Sequence, residues 1–132
     1  MTIAELLSKA LQVKDHRNFK KNWTHELIGG LFEDIVSFLT KAGTTKTANY
    51  TVLDTDQCIY VDSSGGAFTI TLEASPSTNK EIEIIDSVGS CGTNNVTVDG
   101  NGNNVVGSTT ALMNGNYIAF VLKYNGTQWN LK

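Results

Sequence analysis

The chain is poor in the residues that interrupt or cross-link small proteins. Its 132 residues hold one proline, two cysteines, two histidines and two tryptophans. The single proline, Pro76, falls in the Ser75–Asn79 segment, so no apolar run is demoted from strand to loop by proline. Cys58 and Cys91 are too few for a four-ligand zinc site and are expected to stay as buried free thiols in a reducing compartment. His16 and His25 stand nine residues apart, on opposite faces of a continuous helix, and would share neither a metal nor a substrate. No long apolar run is present either. The longest, Leu27 to Leu39, is broken by Gly29-Gly30, Glu33 and Asp34, so no membrane span is expected. Glu5 interrupts the N-terminal apolar run and no basic lead precedes it. The expectation is a chain without a signal peptide, made in a cytoplasm.

Positive charge is scarce where a ligand-binding module would need it for nucleic acid. Residues 1–46 carry seven Lys/Arg against five Asp/Glu, whereas residues 47–132 carry three against eight. Phosphate neutralisation needs clustered cations, so nucleic acid is not the expected partner of the C-terminal part. Lys14, Arg17, Lys20 and Lys21 do lie close together, but Asp15 and Asn18 interleave them, as on a solvated helix face.

What is present divides the chain in two. Leu6, Leu7, Ala10, Leu11 and Val13 suggest a first short helix, and Asn18 is placed to cap a second. Phe19, Trp23, Leu27, Leu31, Ile35 and Phe38 then recur at steps of three or four, one face of a helix. Ile28, Phe32 and Val36 widen that face beyond what one buried side requires, which points to assembly. Phe19, Trp23, Leu27, Ile28, Leu31, Phe32, Ile35 and Phe38 are therefore the candidate assembly interface. Gly43 is placed to end this helix, and Thr44 to Thr47 reads as a linker.

Beyond the linker the period changes from helical to alternating. Phe68, Ile70 and Leu72 alternate with Thr69 and Thr71; Ile82 and Ile84 alternate with Glu81 and Glu83. Similar short runs follow at Asn95–Asp99, Asn104–Val106, Ala111–Met113, Tyr117–Tyr124 and Gln128–Leu131. Asp99-Gly100, Asn114-Gly115 and Asn125-Gly126 have the chemistry of two-residue hairpin turns. The expected fold is α+β: a helix or helical hairpin over residues 1–43, then an antiparallel β-sandwich or barrel-like module over residues 44–132.

Residues 47–131 resemble a β module of bacteriophage tail fibres and other virion appendages. The resemblance is carried by Thr47-Ala-Asn-Tyr-Thr-Val-Leu-Asp-Thr-Asp, Ile59-Tyr-Val-Asp, and Gly65-Gly-Ala-Phe-Thr-Ile-Thr-Leu. It continues through Ile82-Glu-Ile-Ile-Asp, Val96-Thr-Val-Asp-Gly-Asn-Gly and Tyr124-Asn-Gly-Thr-Gln-Trp-Asn-Leu. Phe19 to Leu39 is also similar, more loosely, to N-terminal segments of phage fibre proteins. The resemblance implies a non-enzymatic structural protein of a phage virion: a short homotrimeric head fibre, tail appendage or capsid decoration, attached to other virion proteins by its N-terminal helices. Long fibres differ in having repeats, a triple-helical shaft and a large receptor-binding head.

Motifs for chemistry are weak. Asp99-Gly-Asn-Gly-Asn-Asn opens like a calcium loop, but Asn104 and Thr110 stand where Gly and Glu are required, so a hairpin loop is the better reading. Asp54, Asp56 and Asp62 read as loop aspartates that bond their own backbone rather than a cation. Cys58 has no histidine in its own module to activate it. No catalytic residue, metal or cofactor is expected. Tyr60, Tyr117, Tyr124 and Trp129 could stack on sugar rings, with at least half of them needed for the core. Host adsorption through a surface glycan is thus the alternative function.

Overall fold

The computed structural model describes residues 29–33, 35 and 43–132. The chain divides into two units, Met1–Lys41 and Ala42–Lys132. Within the first unit, helix is described only at residues 29–33 and 35, where Leu31 and Ile35 are half-buried and Phe32 is exposed. Phe19, Trp23, Leu27, Ile28 and Phe38 of the expected assembly face lie outside the described residues.

The α+β expectation is corrected by the described residues, which are mostly β and form two mixed sheets. Ten strands follow in order: β1 (Thr44–Lys46), β2 (Tyr50–Thr51), β3 (Cys58–Val61), β4 (Phe68–Thr71), β5 (Glu81–Asp86), β6 (Val96–Asp99), β7 (Asn104–Val105), β8 (Thr110–Met113), β9 (Ala119–Tyr124) and β10 (Gln128–Leu131). One sheet runs β1-β3-β5-β9-β10-β7 and the other β2-β4-β6-β8. Successive strands up to β6 alternate between sheets. Each consecutive pair is therefore one coil of a flattened solenoid, and like strands of successive coils pair in parallel. A parallel pair needs a long crossover, and here the opposite sheet's strand supplies it.

The physical reason the antiparallel expectation fails is that alternation fixes which face of a strand is buried, and not which strand lies beside it. Of the three expected hairpins, only Asn125-Gly126 is one, joining β9 to β10 with Gly126 at φ 100°. Asp99-Gly100 and Asn114-Gly115 instead carry the chain from one sheet to the other. Gly100 is not at positive φ. It is needed because a Cβ there would overlap the Asn103 carbonyl oxygen, and the left-handed residues of that arch are Asn101 and Gly102. The expected linker, Thr44 to Thr47, contributes strand β1.

The core lies between the sheets and is built from stacked rows. Ile59 of β3 stands beside Ile84 of β5, which stands beside Phe120 of β9; across the core, Phe68, Val96 and Met113 form the equivalent row. Ile59, Ile70, Leu72, Ile82, Ile84, Met113, Leu122 and Trp129 are fully buried. The last coil is covered by antiparallel strands, β8 on β6 and β9 on β5. The first coil is closed by polar groups. Lys46 Nζ lies 3.7 Å from the centroid of the Tyr50 ring, and the Tyr50 hydroxyl donates to Asp56 at 2.7 Å. Burial, reinforced by the Asp56 carboxylate, pushes the Tyr50 phenol up to about 12. Short edge strands with an inward lysine leave little backbone for another chain to extend.

One turn is chemically mismatched. Val105 and Ser108 exchange both backbone hydrogen bonds around Val106 (φ 52°) and Gly107 (φ 82°), a two-residue turn with both central residues left-handed. A β-branched residue is a poor choice there, and Asn is the preferred one. Val106→Asn is expected to raise the unfolding free energy by about 1 kcal/mol. Urea denaturation of the two proteins side by side measures this, and an unchanged or lower midpoint would contradict it.

Candidate functional site

Three connections gather at one edge of the β module: residues 62–67 between β3 and β4, 87–95 between β5 and β6, and 114–118 between β8 and β9. They are tied together by a side chain that the alternation of β5 places on the inner face. Ile82, Ile84 and Asp86 share that face, and Asp86 is 2% exposed. Its Oδ1 accepts hydrogen bonds from the backbone N–H groups of Gly89 (3.0 Å) and Ser90 (3.2 Å), with Val88 N–H at 3.4 Å. Its Oδ2 accepts from Cys91 (3.2 Å) and Tyr117 (3.0 Å). Burial pushes the carboxyl up, but the N–H groups of Tyr117, Cys91, Ser90 and Gly89 outweigh it and hold it below the usual carboxylate range.

Hydroxyls and amides complete the bracing. The Ser63 and Ser90 hydroxyls share a hydrogen bond of 2.9 Å, and Ser63 N–H donates to Ser90 Oγ at the same distance. Asn94 Nδ2 donates to the Ser63 carbonyl at 2.8 Å, and Gly92 N–H donates to Asn116 Oδ1 at 2.8 Å. Each connection is thus bonded to at least one other, so side chains carried on them are held rather than tethered.

Tyr117 is the side chain this frame presents. Its backbone is left-handed (φ 58°), and its ring lies against Gly89, where a Cβ would overlap it. The residue is nevertheless 72% exposed, and Val88 is 44% exposed. A non-glycine residue held left-handed at an exposed position is a cost that the Asp86 bond offsets.

Of the four aromatics expected to divide between core and surface, Tyr124 and Trp129 are buried, whereas Tyr60 and Tyr117 are exposed. Asp56 accepts Leu53 N–H at 2.9 Å and Asp62 accepts Ser64 N–H at 3.0 Å, each within its own loop. Asp99 Oδ1 likewise accepts Asn101 N–H, and Asn103 Nδ2 donates to the Ala74 carbonyl. Among the described residues no group of three or more His, Cys, Asp or Glu is arranged to hold a metal. Cys91 is fully buried and Cys58 half-buried, both as free thiols. Burial pushes both thiols up, with the Glu83 charge adding at Cys58, which keeps them protonated and poorly nucleophilic. An open depression of about 190 Å³ lies beside the β9–β10 hairpin, and the two lysines at its rim, Lys123 and Lys132, are both within 3.5 Å of Glu81.

The Asp86 hub was not among the residues singled out in sequence. Its signal was there: a carboxylate in the inward phase of an alternating strand, two positions after Ile84. No protein-family model matches the chain, and no curated protein matches its sequence.

Proposed function

We propose that this chain is a non-enzymatic structural protein of a phage virion, a short trimeric fibre or decoration that attaches through its N-terminal segment and displays the β module. The observation that supports the reading best is the build of the module itself. It is a small stack of coils with a polar first end, a strand-covered last end and loops braced against each other, which suits display better than catalysis. The protonated thiols and the self-bonded loop aspartates offer no activated nucleophile or acid–base pair. The residue resemblance over 47–131 supplies the virion context.

Mass spectrometry of purified particles, with copy number, tests the placement; absence from particles would overturn it. Light scattering of the full chain is expected to give a trimeric mass at micromolar concentration. Leu31→Asp is expected to reduce that mass to the monomer while the melting of the β module stays within about 2 °C of the parent, since Leu31 belongs to the other unit and is no part of the β module's core. A monomeric parent would overturn the self-assembly half of the reading. The alternative role, adsorption to a host-surface glycan, has one observation in its favour: the exposed ring of Tyr117.

A further inference from the structure

We propose that the Tyr117 ring and the loop rim around it form a binding site for a neutral sugar, with the free face of the ring stacking on the C–H face of a pyranose. The proposal rests on three independent features. The first is conformational. Tyr117 is held left-handed (φ 58°) by the bond from its N–H to Asp86, and its ring is backed by Gly89, so the platform is rigid before any ligand arrives. The second is exposure: with 72% of the residue accessible, contact with Gly89 leaves much of the side chain open to solvent.

The third feature decides the ligand class. Residues 87–95 and 114–118 contain no Asp, Glu, Lys, Arg or His, and their only ionisable side chains are the buried thiol of Cys91 and the phenol of Tyr117 itself. The nearby carboxylates are already engaged, Asp86 by backbone N–H groups and Asp62 by the Ser64 hydroxyl at 2.6 Å. Around the aromatic there remain amides and hydroxyls, with Thr93, Asn114 and Asn116 exposed. A phosphate, a nucleic acid or an acidic peptide would find no cation on this rim. A pyranose presents an apolar face and a ring of neutral hydroxyls, which matches an aromatic bordered by neutral donors and acceptors. The wall is made of loops on a strand scaffold, where binding residues concentrate.

This inference gives the glycan-adsorption role a site and a ligand class, and it holds for the isolated chain whether or not virions contain it. Saturation-transfer NMR on the full chain tests it, with methyl glycosides of glucose, galactose, mannose and N-acetylglucosamine at millimolar concentration and inorganic phosphate as the charged control. At least one glycoside is expected to receive saturation on its ring C–H protons and to shift the Tyr117 ring and the Gly89 and Ser90 amides. Tyr117→Gly removes the ring and suits the left-handed backbone, so it is expected to keep Tm within ~5 °C of the parent while reducing transfer at least tenfold. Tyr117→Trp is expected to retain binding. No transfer to any glycoside, equal transfer in Tyr117→Gly, or the same resonances shifting with phosphate would each overturn the proposal. A larger fall in Tm for Tyr117→Gly would do so too, by making the ring a structural prop. Failure on any of these arms leaves the virion placement to be judged by copy number alone.

Discussion

Asp86→Asn is expected to lower the unfolding free energy by about 3 kcal/mol, because the substitution breaks a hub rather than a pair. Four backbone N–H groups lie within 3.2 Å of the carboxylate, two on each oxygen, with a fifth at 3.4 Å. Asparagine keeps one oxygen and turns an NH2 toward N–H groups that have no other acceptor. A hydrogen bond to a charged group contributes about 1.5–3 kcal/mol, and a buried donor left without a partner costs about 1–3 kcal/mol. The residue is almost fully buried, so water does not restore the lost bonds. The pH dependence follows from the depressed carboxyl. Its stabilisation is fully present above the ordinary Asp value of about 3.9 and is lost as pH falls through the lower folded value. The parent should therefore lose stability below about pH 4, and the Asp86→Asn protein should show a flatter acid limb. Denaturation curves from pH 2 to 7 measure both effects. A midpoint loss worth under about 1 kcal/mol would mean that the loops find other acceptors.

What the sequence made legible was the strands. Phe68, Ile70 and Leu72, and Ile82 and Ile84, announce their buried faces by alternation, and all of these are buried. The partners of the strands were not legible. A hairpin and a coil-to-coil arch place the same alternation against the same core, and Ser63-Ser64-Gly65-Gly66 would serve either connection. Thr44-Thr45-Lys46 carries no apolar residue at all and reads as linker, yet it pairs with Ile59-Tyr60-Val61 as the first rung of the solenoid. Among the described residues β1 is the edge strand of its sheet, so its inward positions can be polar, and Lys46 over Tyr50 is the result.

The candidate site was legible only in part. Tyr117 could be named as an aromatic in search of a partner, but its left-handed backbone depends on a carboxylate 31 residues away. Local sequence holds no trace of such a bond. Gly89 explains the fit in retrospect: the ring occupies the space where any other residue would place a Cβ. Asp86 itself was readable, because a charged residue in the inward phase of a strand must be satisfied by something. What satisfies it, backbone from two separate loops, comes from the topology.

Trp129→Ala is expected to cost about 4 kcal/mol, within the usual 3–5 kcal/mol for removing a buried large aromatic. Small domains are stable by about 5–15 kcal/mol, so a loss of this size removes roughly a quarter to four-fifths of the total. Trp129 is fully buried on β10, with the Tyr124 ring 5.4 Å away at 53° and Val105 alongside in the parallel register with β7. Removing the indole leaves a cavity beside Val105 of the two-residue strand β7. Trp129→Phe separates the contributions. Among the described residues the indole Nε1 has no hydrogen-bond partner although it is buried. Phenylalanine loses part of the apolar contact but also removes a donor whose burial without a partner costs about 1–3 kcal/mol. The two effects oppose each other, so the Phe variant should lose less than about 1.5 kcal/mol. Paired urea denaturations followed by circular dichroism give both values, avoiding the fluorescence that the substitutions remove. Comparable losses in the two variants would mean that the indole N–H is not left unpaired in solution.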